Sequence, residues 1–401
     1  MPSVSSLLRA HGTPPREVYF DHENSGRVPS EIVEAMLPYF NEKGYGHPSI
    51  TNKPGWEALE VVESTSEVVA ATLGVEPSQI HFVHSGTEAN NLAILGSMRA
   101  LKRKGRIVIS DIEHYSVLLP ALSLEEAGFR VVRAPVDEEG FVDVDVMREL
   151  VDRETVLVSI QAVNHEIGTV QKIKEIVEIV KDKNPDVIVH TDACDAFGRI
   201  PLRADELGVD MVTLSSHKIL GPKGVGVLWA SEEVRVEPVL KGALSSQTLW
   251  PGVENIPALA GFRKAVELIS QDEFASRVSR LRDRLIEGIL NRVPETLLNG
   301  PTGEMRAPDN ANISFLHVEG EALTVDLSLR GVYVSSGSAC TSRVLEPSHV
   351  MIAIGRDYEA AHGSLLFKLT RYHSELDVDY AVEQVVESVD RLRGISPLGK
   401  G

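Results

Sequence analysis

Residues 211–224 read MVTLSSHKILGPKG, which joins an apolar run to a lysine and a turn. The apolar residues 211–214 are typical of a buried strand, and residues 221–224 are typical of a tight turn. Lys218 therefore follows a predicted strand end, beside His217 and two serines. We expect burial and nearby cations to lower the pKa of Lys218, which favours a neutral amine that can attack a carbonyl group. These residues alone are equally compatible with an exposed lysine at the end of a strand.

Length, composition and charge limit the functions to be considered. The chain has 401 residues, more than one hydrophobic core usually organises, so we expect two domains. Its formal net charge of −18 argues against nucleic acid or an anionic membrane as a main partner, because either would favour a basic surface. The two cysteines predict no disulfide framework, and no stretch resembles a signal peptide or a membrane span. We therefore expect a cytoplasmic protein, and we predict no metal site.

Short β-rich runs alternate with helical patterns over most of the first 230 residues. The predicted strands are 80–83, 106–109, 130–132, 156–160, 187–190, 211–214 and 224–229. Because these runs are almost continuously apolar, they predict an α/β fold with a mostly parallel seven-stranded sheet and helices on both faces. After Pro251 the pattern changes to a long helical stretch, 256–291, and a smaller α+β region. We predict a large domain of residues 16–255 and a small domain of residues 1–15 and 256–401.

Polar residues follow several predicted strands at their carboxyl ends, where open α/β sheets bind ligands. Gly86 and Thr87 open a helix, so backbone N–H groups and the Thr87 hydroxyl can bind a phosphate there. His114 follows the next strand, and its imidazole can stack on a planar ring or move protons. Asn164 follows the strand 156–160, and its amide can hydrogen-bond to a ligand oxygen. Each of these residues also has a purely structural interpretation, as a helix cap, a turn residue or a solvated loop residue.

Asp192 follows the predicted strand 187–190, about one strand–helix–strand unit before Lys218. A carboxylate at this position can hold a proton on the ring nitrogen of a pyridine cofactor, which makes the ring an electron sink. That carboxylate and a lysine that forms a Schiff base are what pyridoxal 5'-phosphate requires. We therefore predict pyridoxal phosphate as the cofactor and Lys218 as its anchor. Cys194, just beyond Asp192, is interpreted as a structural residue.

Seven short segments occur in an order that is typical of one enzyme superfamily. They are Gly46-His47-Pro48-Ser49, residues 86–91, Glu113-His114, residues 164–169, Asp192-Ala193, Ser216-His217-Lys218 and Glu254-Asn255-Ile256-Pro257. The most diagnostic segment is a further one, SSGSACTS at residues 335–342. With these segments the chain resembles, from Val18 to its final helix, the class V aminotransferase superfamily of fold-type I pyridoxal phosphate enzymes. Within it, the chain resembles the group I cysteine desulfurases.

The resemblance implies an activity and a mechanism. Lys218 would hold the cofactor and remove the Cα proton of L-cysteine, while His114 would stack on the ring and help to move protons. Cys340, in the loop 335–348, would attack the substrate sulfur and carry it as a persulfide while L-alanine leaves. The persulfide would pass to a sulfur acceptor or scaffold protein for iron–sulfur cluster or thiolation pathways. The resemblance also implies a homodimer.

The same resemblance assigns the cofactor-binding residues. They are Gly86, Thr87, Ser215 and His217 at the phosphate, His114 on the ring, Asp192 at the ring nitrogen, Asn164 and Asp195 near the phenolic oxygen, and Lys218 as the anchor. Asp195 differs from the family pattern, which usually has glutamine there.

A second difference concerns the substrate. Leu366 occupies the position of the arginine that usually binds the substrate carboxylate, and a leucine cannot form a charge-assisted hydrogen bond. Lys368, Arg371 and Arg27 are alternative ligands for that carboxylate. Three other functions therefore stay open: a selenocysteine or cysteine-sulfinate lyase, a transaminase, and a weakly active sulfur-scaffold protein.

Overall fold

The computed structural model describes residues 14–242, 249–269, 274–336 and 347–395. The predicted catalytic residue Cys340 and most of the loop 335–348 lie outside the described residues.

A seven-stranded sheet, the central sheet, organises the larger part of the chain. In spatial order its strands are Ile80–Val83, Gly226–Ala230, Met211–Ser215, Ile188–Asp192, Thr155–Ser159, Arg106–Ser110 and Arg130–Ala134. Neighbouring strands run parallel, except that Gly226–Ala230 is antiparallel to both of its neighbours. The predicted α/β fold with a mostly parallel seven-stranded sheet is confirmed.

Both faces of the central sheet are buried, which explains why its strands are apolar throughout. Successive side chains of a strand point to opposite faces. In Arg106–Ser110, for example, Val108 belongs to one hydrophobic cluster, whereas Ile107 and Ile109 belong to another. Helices supply the apolar side chains that cover these faces, among them Val61 and Val69 of Lys53–Leu73 on one face and Leu118 on the other.

The α-helices of the described residues range from 4 to 21 residues in length. In the described part of the chain they are Ser30–Met36, Pro38–Asn41, Lys53–Leu73, Gly86–Asn91, Ser97–Ala100, Tyr115–Ser123, Val144–Leu150, Ile173–Lys183, Ala204–Leu207, Ile256–Ile269, Phe274–Leu290, Gly320–Leu329, His349–Ala353, Tyr358–His362 and Glu375–Ile395. A π-helical turn, Leu92–Gly96, links Gly86–Asn91 to Ser97–Ala100. Short 3₁₀ turns occur at Pro77–Gln79, Ser216–Ile219 and Gly303–Met305.

A second, smaller sheet has its own hydrophobic core. Its antiparallel strands, in spatial order, are Ser335–Ser336, Ser364–Lys368, Asn310–Phe315 and Thr296–Leu298. Val18–Tyr19 pairs in parallel with Val332–Tyr333 beside it. The core of this part contains Ile313, Phe367 and Leu285, and it is separate from the clusters on the central sheet. The predicted smaller α+β region is therefore present.

Segments near the predicted domain limits contribute to both hydrophobic cores. The predicted long helix 256–291 is described as Ile256–Ile269 and Phe274–Leu290, and residues 270–273 between them lie outside the described residues. Phe262 of the first helix packs on the larger core, whereas Leu285 of the second packs on the smaller one. Phe20, near the start of the chain, also packs on the smaller core. The domain limits themselves stay a prediction.

Of the helices in the described residues, none combines the length and the apolar character needed to cross a membrane.

Candidate active site

A cavity of about 350 Å³ opens where the carboxyl ends of the central strands meet the small sheet. It brings together most of the residues that the sequence predicted for the site. The predicted residues that line it are Gly86, Thr87, His114, Asp192, Asp195, Ser215, His217 and Lys218. Strand order explains this convergence, since parallel strands release their loops at one edge of the sheet.

Two glycines let the first loop of the site pack directly onto the central sheet. A Cβ atom on Gly226 would lie 2.3 Å from the backbone carbonyl of Ser85, so any side chain there would push the loop away. A Cβ atom on Gly86 would lie 2.8 Å from the Sγ atom of Cys194. Ser85 caps the helix that follows, because its side chain accepts a hydrogen bond from the Glu88 N–H at 3.2 Å. The N-terminus of the helix that begins at Gly86 therefore lies next to the cavity.

Asp192 and His114 are joined by a chain of hydrogen bonds. The Asn90 amide donates to Asp192 Oδ2 at 2.7 Å and to Ser116 Oγ at 2.8 Å. Ser116 Oγ lies 2.7 Å from His114 Nδ1. Burial lowers the pKa of His114, and the nearby charge of Asp192 only partly offsets this effect. His114 is therefore a neutral imidazole near pH 7, held in a fixed orientation.

Ser215 and His217 form a second polar pair on the opposite wall. Ser215 Oγ lies 2.9 Å from His217 Nδ1. Burial, with a smaller contribution from the positive charge of Lys218, lowers the pKa of His217 to about 4. The pair therefore offers neutral hydrogen-bonding groups rather than a second cation.

The charges around Lys218 differ from those that the sequence predicted. Its Nζ atom lies 3.0 Å from Asp195 Oδ2 and makes direct contact with Glu23 Oε1. Burial alone would lower the pKa of Lys218, but Asp195 and Glu23 outweigh it and raise the pKa above its ordinary value. The prediction of a lowered pKa is therefore wrong for this state of the protein. The reason is that two carboxylates contact the amine and outweigh both burial and the nearby charge of Arg199.

Lys218 belongs to a group of six buried charges that we call the ion cluster. Its members are Glu23, Asp195, Arg199, Lys218, Asp309 and Lys368. The Lys368 ammonium lies 2.9 Å from Asp195 Oδ1, 3.4 Å from Glu23 Oε2 and 3.7 Å from Asp309 Oδ1. Arg199 pairs with Asp309 and lies 3.8 Å from Asp195. Three acids thus face three bases.

The two acids nearest Lys218 respond differently to this environment. Burial would raise the pKa of Asp195, but Lys218, Lys368 and Arg199 hold it well below its ordinary value. Burial and the charge of Asp195 raise the pKa of Glu23, and the two lysines offset this only in part. Asp195 is therefore the firmly ionised member of the pair, and Glu23 is the member that accepts a proton more readily.

Sequence reasoning did not single out His165 and Glu166, which also line the cavity. The ring of His165 faces His114 edge-on at 5.0 Å, and its buried Nδ1 atom has no hydrogen-bond partner among the described residues. Burial lowers the pKa of His165 well below its ordinary value and raises that of Glu166 to about 8. The Ser348 hydroxyl donates a hydrogen bond to Glu166 Oε2 at 2.7 Å. Neither residue has a local sequence signal that separates it from an ordinary turn.

Asn164 is not among the residues that line the cavity, and its role at the cofactor stays a prediction. Its amide donates to the carbonyl of Ile112 at 3.1 Å, and its Oδ1 atom accepts from the N–H groups of Glu166 and Ile167 at 2.9 and 2.8 Å. The side chain therefore shapes the turn that carries His165. These bonds use its carbonyl oxygen and one of the two N–H groups of its amide, so the side chain holds a turn next to the cavity.

Cys194 and Leu366 also line the cavity. Burial raises the pKa of Cys194 well above its ordinary value, which makes it an unreactive thiol and agrees with the structural interpretation. Leu366 is almost fully buried and presents only apolar surface to the cavity. No arginine is present among the described residues that line the cavity.

These groups fit pyridoxal phosphate. Lys218 offers the amine, Asp192 offers a carboxylate for the ring nitrogen, and the neutral imidazole of His114 offers a planar stacking partner. Gly86, Thr87 and the Ser215–His217 pair offer close backbone approach and hydrogen-bond donors for a phosphate. Both the chemistry of these side chains and their enclosure in one cavity support this fit.

Comparisons with known proteins agree with this site. The Aminotransferase class-V family model matches residues 18–380. The chain is 42% identical to cysteine desulfurase IscS 1 of Archaeoglobus fulgidus, over 95% of this chain and 99% of that relative. A solved NifS-like protein is 34% identical with a TM-score of 0.87, over 94% of this chain and 100% of that one. A solved structure described as SspA in complex with cysteine is 30% identical with a TM-score of 0.77, over 90% of this chain and 100% of that one.

The family model and the relatives extend over almost the whole chain, including both sheets and the cavity between them. The chain therefore belongs to the class V aminotransferase family and, within it, to the cysteine desulfurases, which are pyridoxal phosphate enzymes.

Proposed function

We propose that this enzyme removes sulfur from L-cysteine, releases L-alanine, and holds the sulfur as a persulfide on Cys340 for transfer to an acceptor or scaffold protein. Membership of the desulfurases supports the reaction, and the similar structure in complex with cysteine supports the substrate. The transfer to iron–sulfur cluster assembly or to a thiolation pathway follows from the resemblance of the segment 335–342.

The observation that carries the proposal is the position of the residues on either side of Cys340. Ser335 and Ser336 line the cavity on one side. On the other side the Ser348 hydroxyl donates a hydrogen bond to Glu166, which also lines the cavity. Cys340 is four residues beyond Ser336, and an extended chain of four residues spans roughly 13 Å. The length of the chain thus allows the thiol to reach a substrate held near Lys218.

The residues of the cavity have distinct tasks in this reaction. When bound, pyridoxal phosphate supplies an electron sink for the charge that develops at the substrate Cα atom. Lys218 removes the Cα proton once its amine is free, and Asp192 stabilises positive charge at the ring nitrogen. His114, neutral and held by Ser116, accepts and returns a proton beside the ring.

The sulfur step is balanced without an external oxidant. The thiolate of Cys340 forms a bond to the substrate sulfur, and the substrate carbon–sulfur bond breaks with its electron pair left on carbon. Protonation of that carbon, together with return of a proton from Lys218 to the Cα atom, gives L-alanine. The sulfur is then released as sulfide by a thiol reductant or passed to an acceptor thiol by exchange.

The decisive experiment measures sulfide and alanine from L-cysteine and a thiol reductant. Wild type should form the two products in equal amounts, and Cys340→Ala should lose both by at least about 100-fold. Cys194→Ala is the matched control, since Cys194 is buried and its thiol pKa is raised, and it should keep its activity. Equal product formation by wild type and Cys340→Ala would refute the role of Cys340. Intact mass of the protein without reductant should show one added sulfur atom in wild type.

We also propose a homodimer. Between residues 37 and 56, large apolar side chains are exposed on the single chain, which is typical of an interaction surface. They include Phe40, Tyr45 and Trp56. Light scattering should give twice the mass of one chain, and Trp56→Glu should shift the population to monomer. A wild-type monomer at micromolar concentration would contradict the proposal.

A further inference from the structure

We propose that Lys368 binds the carboxylate of the amino acid substrate, at the place that the Glu23 carboxylate occupies between Lys368 and Lys218. The identity of the amino acid rests on the proposed function. The binding itself needs no sulfur chemistry and can be measured separately.

The cavity needs such a cation because Leu366 presents only apolar surface. An α-amino acid carries its negative carboxylate two bonds from the nitrogen, and burying that charge without a partner is costly. The other two candidate cations from the sequence are directed elsewhere. Arg371 donates to the carbonyl of Leu268 at 3.1 Å, and Arg27 lines a different cavity beside Tyr372. Lys368 is the remaining candidate.

Lys368 is directed toward the reacting amine. It lies two residues after Leu366 in the strand Ser364–Lys368, and side chains two residues apart point to the same face of a sheet. Its Nζ atom is 2.9 Å from one oxygen of Asp195, and the other oxygen of Asp195 is 3.0 Å from Lys218 Nζ. One carboxylate therefore bridges the two amines, which places the positive charge of Lys368 close to the nitrogen that a substrate replaces.

Glu23 bridges the same two amines and marks the position of the substrate carboxylate. Its Oε1 atom contacts Lys218, and its Oε2 atom is 3.4 Å from Lys368 Nζ. Oε2 makes no hydrogen bond to any described residue, although Glu23 is only 8% exposed. At Oε2, therefore, Glu23 is held only by its electrostatic attraction to Lys368. Burial and Asp195 raise the pKa of Glu23, whereas the pKa of Asp195 is lowered, so Glu23 is the one of these two acids that gives up its charge more readily.

This arrangement predicts effects of opposite sign for two neighbouring residues. Removing the charge of Lys368 deprives the substrate carboxylate of its partner and weakens its binding. Removing the charge of Glu23 eliminates a competitor for the same cation and strengthens binding. A role limited to holding the fold would not give opposite signs.

The test is an equilibrium titration of the pyridoxal phosphate-loaded protein with L-alanine and with ethylamine, followed by the absorbance of the bound cofactor. Ethylamine is L-alanine without its carboxylate. For Lys368→Met the Kd of L-alanine should rise by about tenfold or more, the loss of one charge-assisted pair, while that of ethylamine should not rise. For Glu23→Gln the Kd of L-alanine should fall. Lys223→Met, which removes an exposed lysine bonded to the carbonyl of Gly26, is the matched control and should change neither.

An unchanged L-alanine Kd in Lys368→Met, or an equal rise for both ligands, would overturn the proposal. If Lys368→Met does not fold, Glu23→Gln decides alone, and an L-alanine Kd that does not fall overturns it. Sulfide formation is not part of this titration. A protein that binds L-alanine through Lys368 but releases no sulfur would refute the proposed function and leave this inference intact.

Discussion

The two halves of the cavity are built in different ways. The cofactor half, around Asp192 and His114, consists of neutral side chains and one carboxylate linked by hydrogen bonds of 2.7 and 2.8 Å. The other half, which we call the substrate half because the substrate carboxylate is proposed to bind there, contains Glu23, Asp195 and Lys218 of the ion cluster, in which charges from distant segments compensate one another. Asp192 and His114 in the first half match the family pattern that the sequence resembles, whereas Asp195 and Leu366 in the second differ from it. Apart from Lys218, which belongs to both halves, we expect different residues to control cofactor chemistry and substrate choice.

The largest expected effect comes from the residue that belongs to both halves. Lys218→Ala should lower sulfide formation from L-cysteine by at least about 1000-fold, because it removes both the cofactor anchor and the base. The variant should also fail to retain cofactor absorbance after gel filtration. Lys223→Ala serves as the control. Retained covalent cofactor in Lys218→Ala after borohydride reduction would show that the anchor lies elsewhere.

The second prediction separates the halves by comparing two aspartates. Asp192→Asn should lower kcat about 100-fold while changing the free energy of unfolding by only about 1 kcal/mol, because it affects the charge at the ring nitrogen. Asp195→Asn should instead lower the free energy of unfolding of the cofactor-free protein by about 3 kcal/mol, since Lys218 and Lys368 lose their shared partner.

Rate assays with L-cysteine and urea unfolding of the cofactor-free variants check this contrast. Equal losses of rate and equal losses of stability in the two variants would mean that the halves are not independent.

The third prediction concerns a buried acid behind the cofactor half. Burial raises the pKa of Glu113 from 4.5 to about 8, although hydrogen bonds from Ser110 and Gln161 oppose the shift. The folded protein therefore keeps this proton up to about pH 8, whereas the unfolded chain loses it near pH 4.5. Between these values the contribution of Glu113 to stability falls as pH rises, by up to about 1.4 kcal/mol per pH unit.

Urea unfolding across this pH range tests the sign. Glu113→Gln should remove that part of the pH dependence, so that its stability relative to wild type increases as pH rises. Glu125→Gln, at an exposed position, should follow the wild-type curve. A Glu113→Gln curve parallel to that of wild type would refute the raised pKa.

The smallest expected effect is that of Cys194→Ala. Cys194 packs against Gly86, and truncation removes one buried sulfur atom, which should cost about 1 kcal/mol of the free energy of unfolding. The alanine produced from L-cysteine should stay within about twofold of wild type. A large loss of activity would show that the cofactor half depends on this thiol.

The cofactor half was largely predictable from sequence, and the substrate half was not. Thr87, Asp192 and Ser215 each follow a continuous apolar run, and such runs in parallel sheets end at one edge, so their convergence follows from the pattern. Asn164 also follows such a run, yet its side chain is used to hold its own turn. Position after a strand therefore predicts proximity to the site but not the direction of the side chain.

No sequence pattern close to the residues of the ion cluster predicts their contacts. Lys218 meets Glu23 across 195 residues, and Lys368 meets Asp195 across 173 residues. These pairs form only when the small sheet lies against the central one. The sequence on either side of Lys218 and Lys368 contains none of these acids, and for this reason the raised pKa of Lys218 could not be foreseen.

The ion cluster has a mechanical consequence as well as a chemical one. Lys368 extends from the small sheet, and Asp195, Arg199 and Lys218 belong to loops of the central sheet. The charges thus act as a joint between two otherwise separate hydrophobic cores. Attachment of the cofactor at Lys218, as proposed, would replace the ammonium by a different group and would change its contacts with Glu23 and Asp195. Cofactor binding would then also change the interaction between the two sheets.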